Sequence, residues 1–249
     1  EIFRYYRMVP RPLRRMIHGA ALKVPSKFER VSFDYKLKKF TEAETTSILE
    51  AHSSWRTIFS KQGLREILSH DLNGHTPSFT RIYDEAFVDF PRFPNEITGL
   101  LYADLKAWLI PMLPWTDNIS MAHSIELRLP FLDYRLVDRA LSLPQEYLFK
   151  GWELKRLMKK FLHGRLPDDV LYRPKRGTHL PLSKWLNTEL KELKNHYLSD
   201  TVLNKEGLFN MEPVRRYAGE HERMEVDHTF KLWNLIMFSA WKEQNGLTL

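Results

Sequence analysis

The 249-residue sequence contains no cysteine. That excludes a disulfide framework, thiolate metal sites and a cysteine nucleophile from this chain, and it fits a reducing, cytoplasmic setting. Glycine is scarce and scattered: its ten residues stand at 19, 63, 74, 99, 151, 164, 177, 207, 219 and 246, never closer than eleven positions apart. No phosphate-cradling loop of the G-x-G-x-x-G, G-x-x-x-x-G-K or S-G-G-x-D-S kind can be built from that spacing. No apolar run reaches the roughly 18 residues of a membrane-spanning helix, and the start, Glu1 to Arg7, lacks the apolar stretch of a secretory signal. Period-two alternation, the mark of half-buried strands, is nearly absent.

What is present is an ordinary globular balance, 43% hydrophobic and 28% charged, enough to bury a core in one or two domains. The net charge of +7 is unevenly placed. Residues 1–40 hold eleven Lys/Arg against three Asp/Glu, a net +8, with Arg4, Arg7, Arg11, Arg14 and Arg15 at their head; the remainder nets −1. Such a patch suits phosphates of nucleic acid, lipid or nucleotide, but it equally suits a solvated helix face or an acidic neighbouring domain. Nucleic acid is disfavoured, because no recognised binding motif accompanies the charge and only Tyr5 and Tyr6 offer interleaved aromatics.

Apolar periodicity predicts a mainly α chain. Thr41 to Glu44 reads as a capping box opening a helix through Ile48. Leu64, Ile67 and Leu68 mark a helix near 60–70, and Pro77, Pro91 and Pro94 a loop-rich boundary. On that pattern the chain divides into a basic N-terminal segment with a helical linker, 1–94, and a helical region, 95–249. Ile97, Leu100, Leu101, Leu105, Trp108 and Leu109 keep helical spacing until Pro111 stops or kinks the helix. Asp133 is placed to cap a helix carrying Leu136, Val137, Ala140 and Leu141. Leu154, Leu157, Met158, Phe161 and Leu162 form another stripe, closed by Gly164, and Phe230 to Trp241 fits a buried helix.

Most short motifs carry nothing. His221 to Glu225 begins like a zincin helix but lacks the second histidine at i+4, so no metal ligand set is expected. Asp71 to Gly74 is too short for a calcium loop and reads as a turn. Two stretches differ. Trp115 to Asp133 reads W-T-D-N-I-S-M-A-H-S-I-E-L-R-L-P-F-L-D, with Glu126 and Arg128 beside a turn leading to Asp133. Leu171 to Pro181 reads L-Y-R-P-K-R-G-T-H-L-P, crowding Arg173, Lys175 and Arg176 around Pro174 and Gly177. A loop with three cations is either a solvated surface or an anion clamp.

These two stretches resemble the asparagine synthase family, whose C-terminal region runs D-R-x-S-M-A-x-S-x-E-x-R-x-P-F-L-D and then R-P-K-x-G-F. Between them, Ser142 to Pro144 resembles the family's S-L-P, Gly151 to Lys155 its G-x-T-K, and Leu166-Pro167 its L-P before the lysine loop. The segment Leu232 to Leu235 is also similar. Glu1-Ile2-Phe3, followed by Arg4-Tyr5, resembles the tail of the D-E-[LI]-F-G-G-Y-x-R-Y segment without its glycines. The resemblance is dense over 95–190 and thinner elsewhere.

The resemblance implies the helical C-terminal portion of an ATP-pyrophosphatase (adenine nucleotide α-hydrolase-like) synthetase domain, lacking most of its parallel sheet. In that family ATP adenylates a carboxylate, and glutamine-derived ammonia attacks the acyl-adenylate to give an amide and AMP. It makes Lys175 the catalytic residue, a fixed ammonium near the α-phosphate and the tetrahedral centre. Asp117, Ser120 and Met121 match D-x-x-S-M. Glu126, Arg128 and Asp133 match a framework expected to be a buried ion pair and helix cap shaping the substrate pocket. Lys155 and Arg173 are further nucleotide- or substrate-pocket candidates. ATP and Mg are expected to be held mainly by a preceding nucleotide-binding part. The implied partners are that domain or subunit, a glutaminase domain and a small-molecule carboxylate, with a homodimer compatible and no membrane span.

Departures limit what carries over. Asn118 stands where arginine is usual, Lys159 replaces an arginine, and Thr178-His179 replaces the phenylalanine after R-P-K-x-G. The acidic pair common before Asp117 is replaced by Leu109 to Pro114. The acceptor is therefore open among aspartate, a sugar acid, a peptide and a β-amino acid. The alternative to a ligase part is a non-catalytic helical interaction module derived from the family.

Overall fold

The structure is a computed structural model, and it describes residues 2–28, 32–43, 47–69, 72, 81–151, 153–174 and 180–247. Contacts group the chain into two compact units: Glu1–Thr80 with Thr178–Leu249, and Arg81–Gly177. Among the described residues it is mainly helical, with a single two-stranded sheet. That agrees with the near-absence of alternating patterns in the sequence.

The first unit opens with α1 (Ile2–Tyr6), α2 (Arg11–Leu22), α3 (Phe33–Thr41), α4 (Ile48–Arg56) and α5 (Lys61–Ile67). Phe3 and Tyr6 pack one face of α1 onto Phe40 and Trp55, with Ala43 and Ala51 beneath. Thr41 does not begin a helix. It ends α3, buried, its hydroxyl donating to Leu37 O at 2.9 Å and sitting 2.9 Å from His18 Nδ1 of α2. The next N-cap is Ser47, whose Oγ accepts from Glu50 N. Glu44, the other half of the expected capping box, lies outside the described residues, as do Asp71, Asn73, Gly74 and Pro77.

The second unit holds α6 (Arg81–Phe87), α7 (Glu96–Asp104), α8 (Ile110–Met121), α9 (Tyr134–Ser142), α10 (Gln145–Leu148), β1 (Phe149–Lys150), β2 (Glu153–Leu154), α11 (Arg156–Leu162) and α12 (Asp168–Leu171). Asn95 caps α7 by accepting from Thr98 N at 2.9 Å. Pro111 does not stop the helix. Residues 105–109 widen into a π-turn in which Ile110 N donates to Leu105 O, five residues back, and the helix runs on through α8. A proline has no N–H and its ring crowds the carbonyl four residues earlier; one extra residue in the turn relieves both. Leu154 belongs to β2, paired antiparallel with Phe149, and α11 begins only at Arg156.

The core of this unit is small: Tyr83, Ala86 and Ala103, with Phe87 and Ala107 against them. Among the described residues from 104 to 174, none is buried. The stripe on α11 is no exception, with Leu157, Met158 and Phe161 all exposed.

The chain then completes the first unit with α13 (Leu182–Trp185), α14 (Lys191–Tyr197), α15 (Met211–Glu222) and α16 (Thr229–Gln244). Met211, Val214, Tyr217 and His221 recur every three or four positions on α15, and Leu232, Leu235, Ile236 and Ser239 do so on α16; all are buried. With Phe59, Ile67, Leu186, Leu203 and Phe209, the apolar members of these two faces form the main core. Burying one such aliphatic side chain contributes about 1.5–3 kcal/mol. A backbone bridge ties α5 to this core, Ser69 N donating to Leu208 O and Asn210 N to Ile67 O, each at 2.8 Å. At the far end of α16, the Lys242 ammonium is buried, pairs with Glu206 and donates to Val202 O at 3.3 Å. That pairing holds the Glu206 carboxyl below its usual range.

The α15–α16 junction is polar and closed. His221 is fully buried, accepts from His228 N at Nδ1 (3.3 Å) and faces Ser183 O with Nε2 (3.1 Å), which assigns the neutral Nε2–H form. His228 Nε2 lies 2.6 Å from Glu220. Burial pushes both imidazoles below the usual histidine range, against Asp227 at His221 and Glu220 at His228. The unfolded chain therefore takes up these protons at higher pH than the native chain does. Stability should be complete above about pH 6.5 and fall as pH drops below it, by at most about 1.4 kcal/mol per pH unit for each histidine held neutral. Urea midpoints between pH 7.5 and 5 should show that decline, and His221→Asn, which keeps an acceptor but cannot ionise, should flatten it. An unchanged slope in the variant would remove His221 from the account.

Candidate functional site

The residues singled out by sequence fall on three consecutive features of the second unit. Asp117, Ser120 and Met121 lie on the last turns of α8, exposed or half-exposed. Ser120 Oγ donates to Asp117 O at 3.0 Å, so the hydroxyl serves its own helix. The helix ends when Ser124 N donates to Met121 O (2.9 Å) and Ile125 N reaches back to Ser120 O (3.0 Å). This closure needs a left-handed residue, and Ser124 supplies it at φ +57° where glycine is the usual choice.

Extended backbone follows. Alternate residues of an extended segment share a face, and Glu126 and Arg128 use that to pair at 2.7 Å. The pair forms as the motif suggests, but it is not buried: the side chains are 64% and 82% exposed. Nothing else among the described residues covers it. A 3-10 turn over Pro130–Leu132 brings in Asp133, which caps α9 by accepting from Arg135 N at 2.9 Å. The same carboxylate takes the Arg135 guanidinium in a two-pronged contact of 2.9 and 2.6 Å, which holds it below the usual carboxylate range.

The third feature runs from β2 to the lysine loop. Lys155 precedes α11 in the left-handed region, φ +57°, ψ 36°. For a side-chain-bearing residue that conformation costs on the order of 1–3 kcal/mol. Arg156 anchors the start of α11 by donating to Glu146 O at 3.0 Å. At the other end Tyr172 Oη lies 3.2 Å from His163 Nδ1, and the Lys159 ammonium stands 5.9 Å from the Tyr172 ring. These contacts tie the residue before Arg173 back to α11. Arg173 itself is exposed. Lys175 lies outside the described residues, with Arg176, Gly177, Thr178 and His179.

The structure thus brings together Glu126 with Arg128, and Ser120 with Asp117; among the described residues no hydrogen bond or ion pair joins Lys155 or Arg173 to either. Among the described residues there is no group of three or more His, Asp and Glu side chains able to hold a metal ion. What the described side chains offer is cations and an ion pair on an open surface, suited to binding a phosphate or carboxylate rather than to completing a reaction. Sequence reading missed the left-handed Ser124 and Lys155, since neither residue type signals positive φ. It also missed the His163–Tyr172 contact, because nine residues is no helical or strand period.

The chain matches the family model for asparagine synthase over residues 1–243. It is 24% identical over 243 residues to asparagine synthetase [glutamine-hydrolyzing] 1 of Bacillus subtilis, covering 96% of this chain and 36% of that protein. A putative asparagine synthetase [glutamine-hydrolyzing] of Mycobacterium tuberculosis is 27% identical over 240 residues, 94% of this chain and 34% of that protein. The human asparagine synthetase [glutamine-hydrolyzing] is 34% identical over 177 residues, 68% of this chain and 27% of that protein. The chain therefore spans about a third of the length of the curated relatives it matches. No solved structure matches.

The Asp133 cap gives a direct test of the local geometry. Asp133→Ala removes both the acceptor for Arg135 N and the guanidinium contact, and should lower the thermal midpoint by about 2–4 °C. Asp133→Asn keeps an acceptor oxygen without the charge and should fall between. Identical midpoints for all three proteins would mean that the cap does not hold α9.

Proposed function

This chain belongs to the asparagine synthase family, and from that premise we propose that it is the helical C-terminal part of an ATP-dependent, amide-forming ligase. In this reading a carboxylate is activated by ATP with loss of pyrophosphate, and glutamine-derived ammonia displaces AMP to leave the amide. The observation that carries the reading is the uncovered surface of the second unit. Residues 104–174 hold Trp115, Ile119, Phe131 and Tyr134 at roughly 70% exposure, in the segment richest in family motifs. Exposed apolar area on that scale marks a surface made to be covered. The remaining two thirds of a protein the length of the relatives is the natural cover.

Lys175 is assigned the catalytic role, an ammonium that stabilises charge growing on the α-phosphate and the tetrahedral carbon. Lys155 and Arg173, both before it in sequence, serve as phosphate- or carboxylate-facing cations. Once covered, Glu126 and Arg128 form a desolvated pair that shapes the acceptor pocket beside Asp117, Ser120 and Met121. ATP is a substrate here. The described residues fit its phosphates through cations, but they fit neither its adenine cradle nor a magnesium ligand set, which this reading places in the preceding domain. The acceptor is a small carboxylate, and the glutaminase and nucleotide-binding parts are the partners.

In the full-length protein Lys175→Ala should cut turnover by about 100-fold or more, the typical loss when one transition-state charge donor is removed. Lys175→Arg should recover part of it, since a planar fork cannot place a point charge at the same spot. Arg176→Ala is the control and should be mild. Equal, small effects at 175 and 176 would make the loop a solvated surface and withdraw the assignment. This chain on its own should release neither pyrophosphate from ATP nor ammonia from glutamine, lacking a cysteine and any closely spaced glycines. Pyrophosphate release by the isolated chain would contradict that.

A further inference from the structure

We propose that Tyr172 and His163 are positioning residues for Arg173, acting on the reaction only through that cation. The inference rests on the function proposed above and deepens it. Residues 162–172 fold back on themselves. α11 ends at Leu162, and Gly164 reverses the chain in the left-handed region at φ +73°, which glycine adopts without strain. Arg165 N and Leu166 N both donate to Leu162 O, at 2.9 and 3.1 Å, and α12 follows from Asp168. Tyr172 closes the segment: its N donates to Asp168 O at 2.9 Å, and its hydroxyl lies 3.2 Å from His163 Nδ1. The same Nδ1 stands 3.7 Å from the Asp168 carboxylate. One imidazole thus gathers the end of α11, the start of α12 and the residue that follows α12. Lys159 adds its ammonium 5.9 Å from the Tyr172 ring, within cation–π range.

What this closure delivers is the backbone of Arg173. On one side Arg173 is joined to Tyr172, which is held at its amide, its ring and its hydroxyl. On the other stands Pro174, whose ring keeps the preceding residue out of the helical region. Arg173 is therefore restrained from both sides while its side chain stays exposed. Stability gives little reason for the arrangement. Tyr172 and His163 are themselves exposed, and contacts at such positions rarely contribute much to holding a fold. Aim is the reason that remains: an arginine that is to meet a phosphate or carboxylate through a fixed fork needs its stem held.

The test is a double-mutant cycle in the full-length protein, read as exchange of labelled pyrophosphate into ATP. Tyr172→Phe removes only the hydroxyl and should lower kcat/KM about 3- to 10-fold, the worth of one hydrogen bond. Made beside Arg173→Ala, the same change should have no further effect, because a positioning residue acts only through the group it positions. His163→Leu should match Tyr172→Phe. His163→Asn, whose amide can donate or accept where Nδ1 stands, should recover most of that loss. Thermal midpoints should stay close to the parent value throughout. Losses from Tyr172→Phe and Arg173→Ala that multiply would overturn the inference and leave the ligase reading standing. So would an unimpaired Tyr172→Phe or Arg173→Ala protein, or midpoints that fall in step with activity, which would make the contact structural. Absence of exchange in the parent would overturn the ligase reading, and the inference with it.

Discussion

The inward face of α16, with Leu232, Leu235, Ile236 and Ser239, is the surface on which the first unit is assembled. α14 and α15 pack against it, α5 packs against α15, and the bridge between Leu68 and Phe209 joins the early and late segments of the unit. Because the core includes residues as far apart as Phe59 and Ile236, this unit holds together only when both ends of the chain are present. The segment between, Arg81–Gly177, has no comparable core among the described residues. Its helices are held by caps, turns and local pairs: Asn95 and Asp133 at helix starts, Arg156 on Glu146, His163 on Tyr172.

That division explains why the motif-bearing segment has the features of a site rather than of a scaffold. Of the three non-glycine residues with positive φ among the described residues, two, Ser124 and Lys155, fall within the family motifs. The π-turn before Pro111 falls on the same helix as Asp117, Ser120 and Met121. An inserted residue turns everything beyond it by about 100° around the helix axis, so Pro111 sets which way those three face. Strained backbone and helix irregularity persist where something beyond local stability depends on them.

The sequence made the helical class legible, along with the α9 cap at Asp133 and the buried faces of α5 and α16, because each rests on local periodicity or a capping residue. The family was legible from ordered motifs. The errors share one physical origin, an element whose outcome depends on neighbours rather than on its own pattern. Thr41 looks like a cap, but its hydroxyl is taken by Leu37 O and His18 across the α2–α3 contact. Pro111 looks like a stop, but a π-turn absorbs it. Glu126 and Arg128 pair as expected, yet stay wet, because burial is a property of what covers them. The lysine loop could be named from sequence, though its geometry lies outside the described residues.

In the proposed reading this chain serves an enzyme that activates a carboxylate by adenylation. Exchange of labelled pyrophosphate into ATP by the full-length protein measures that step alone. Exchange should appear only when a suitable carboxylate is present, and it should need neither glutamine nor ammonia. Amide formation with release of ADP and phosphate, or exchange indifferent to the acceptor, would contradict the account.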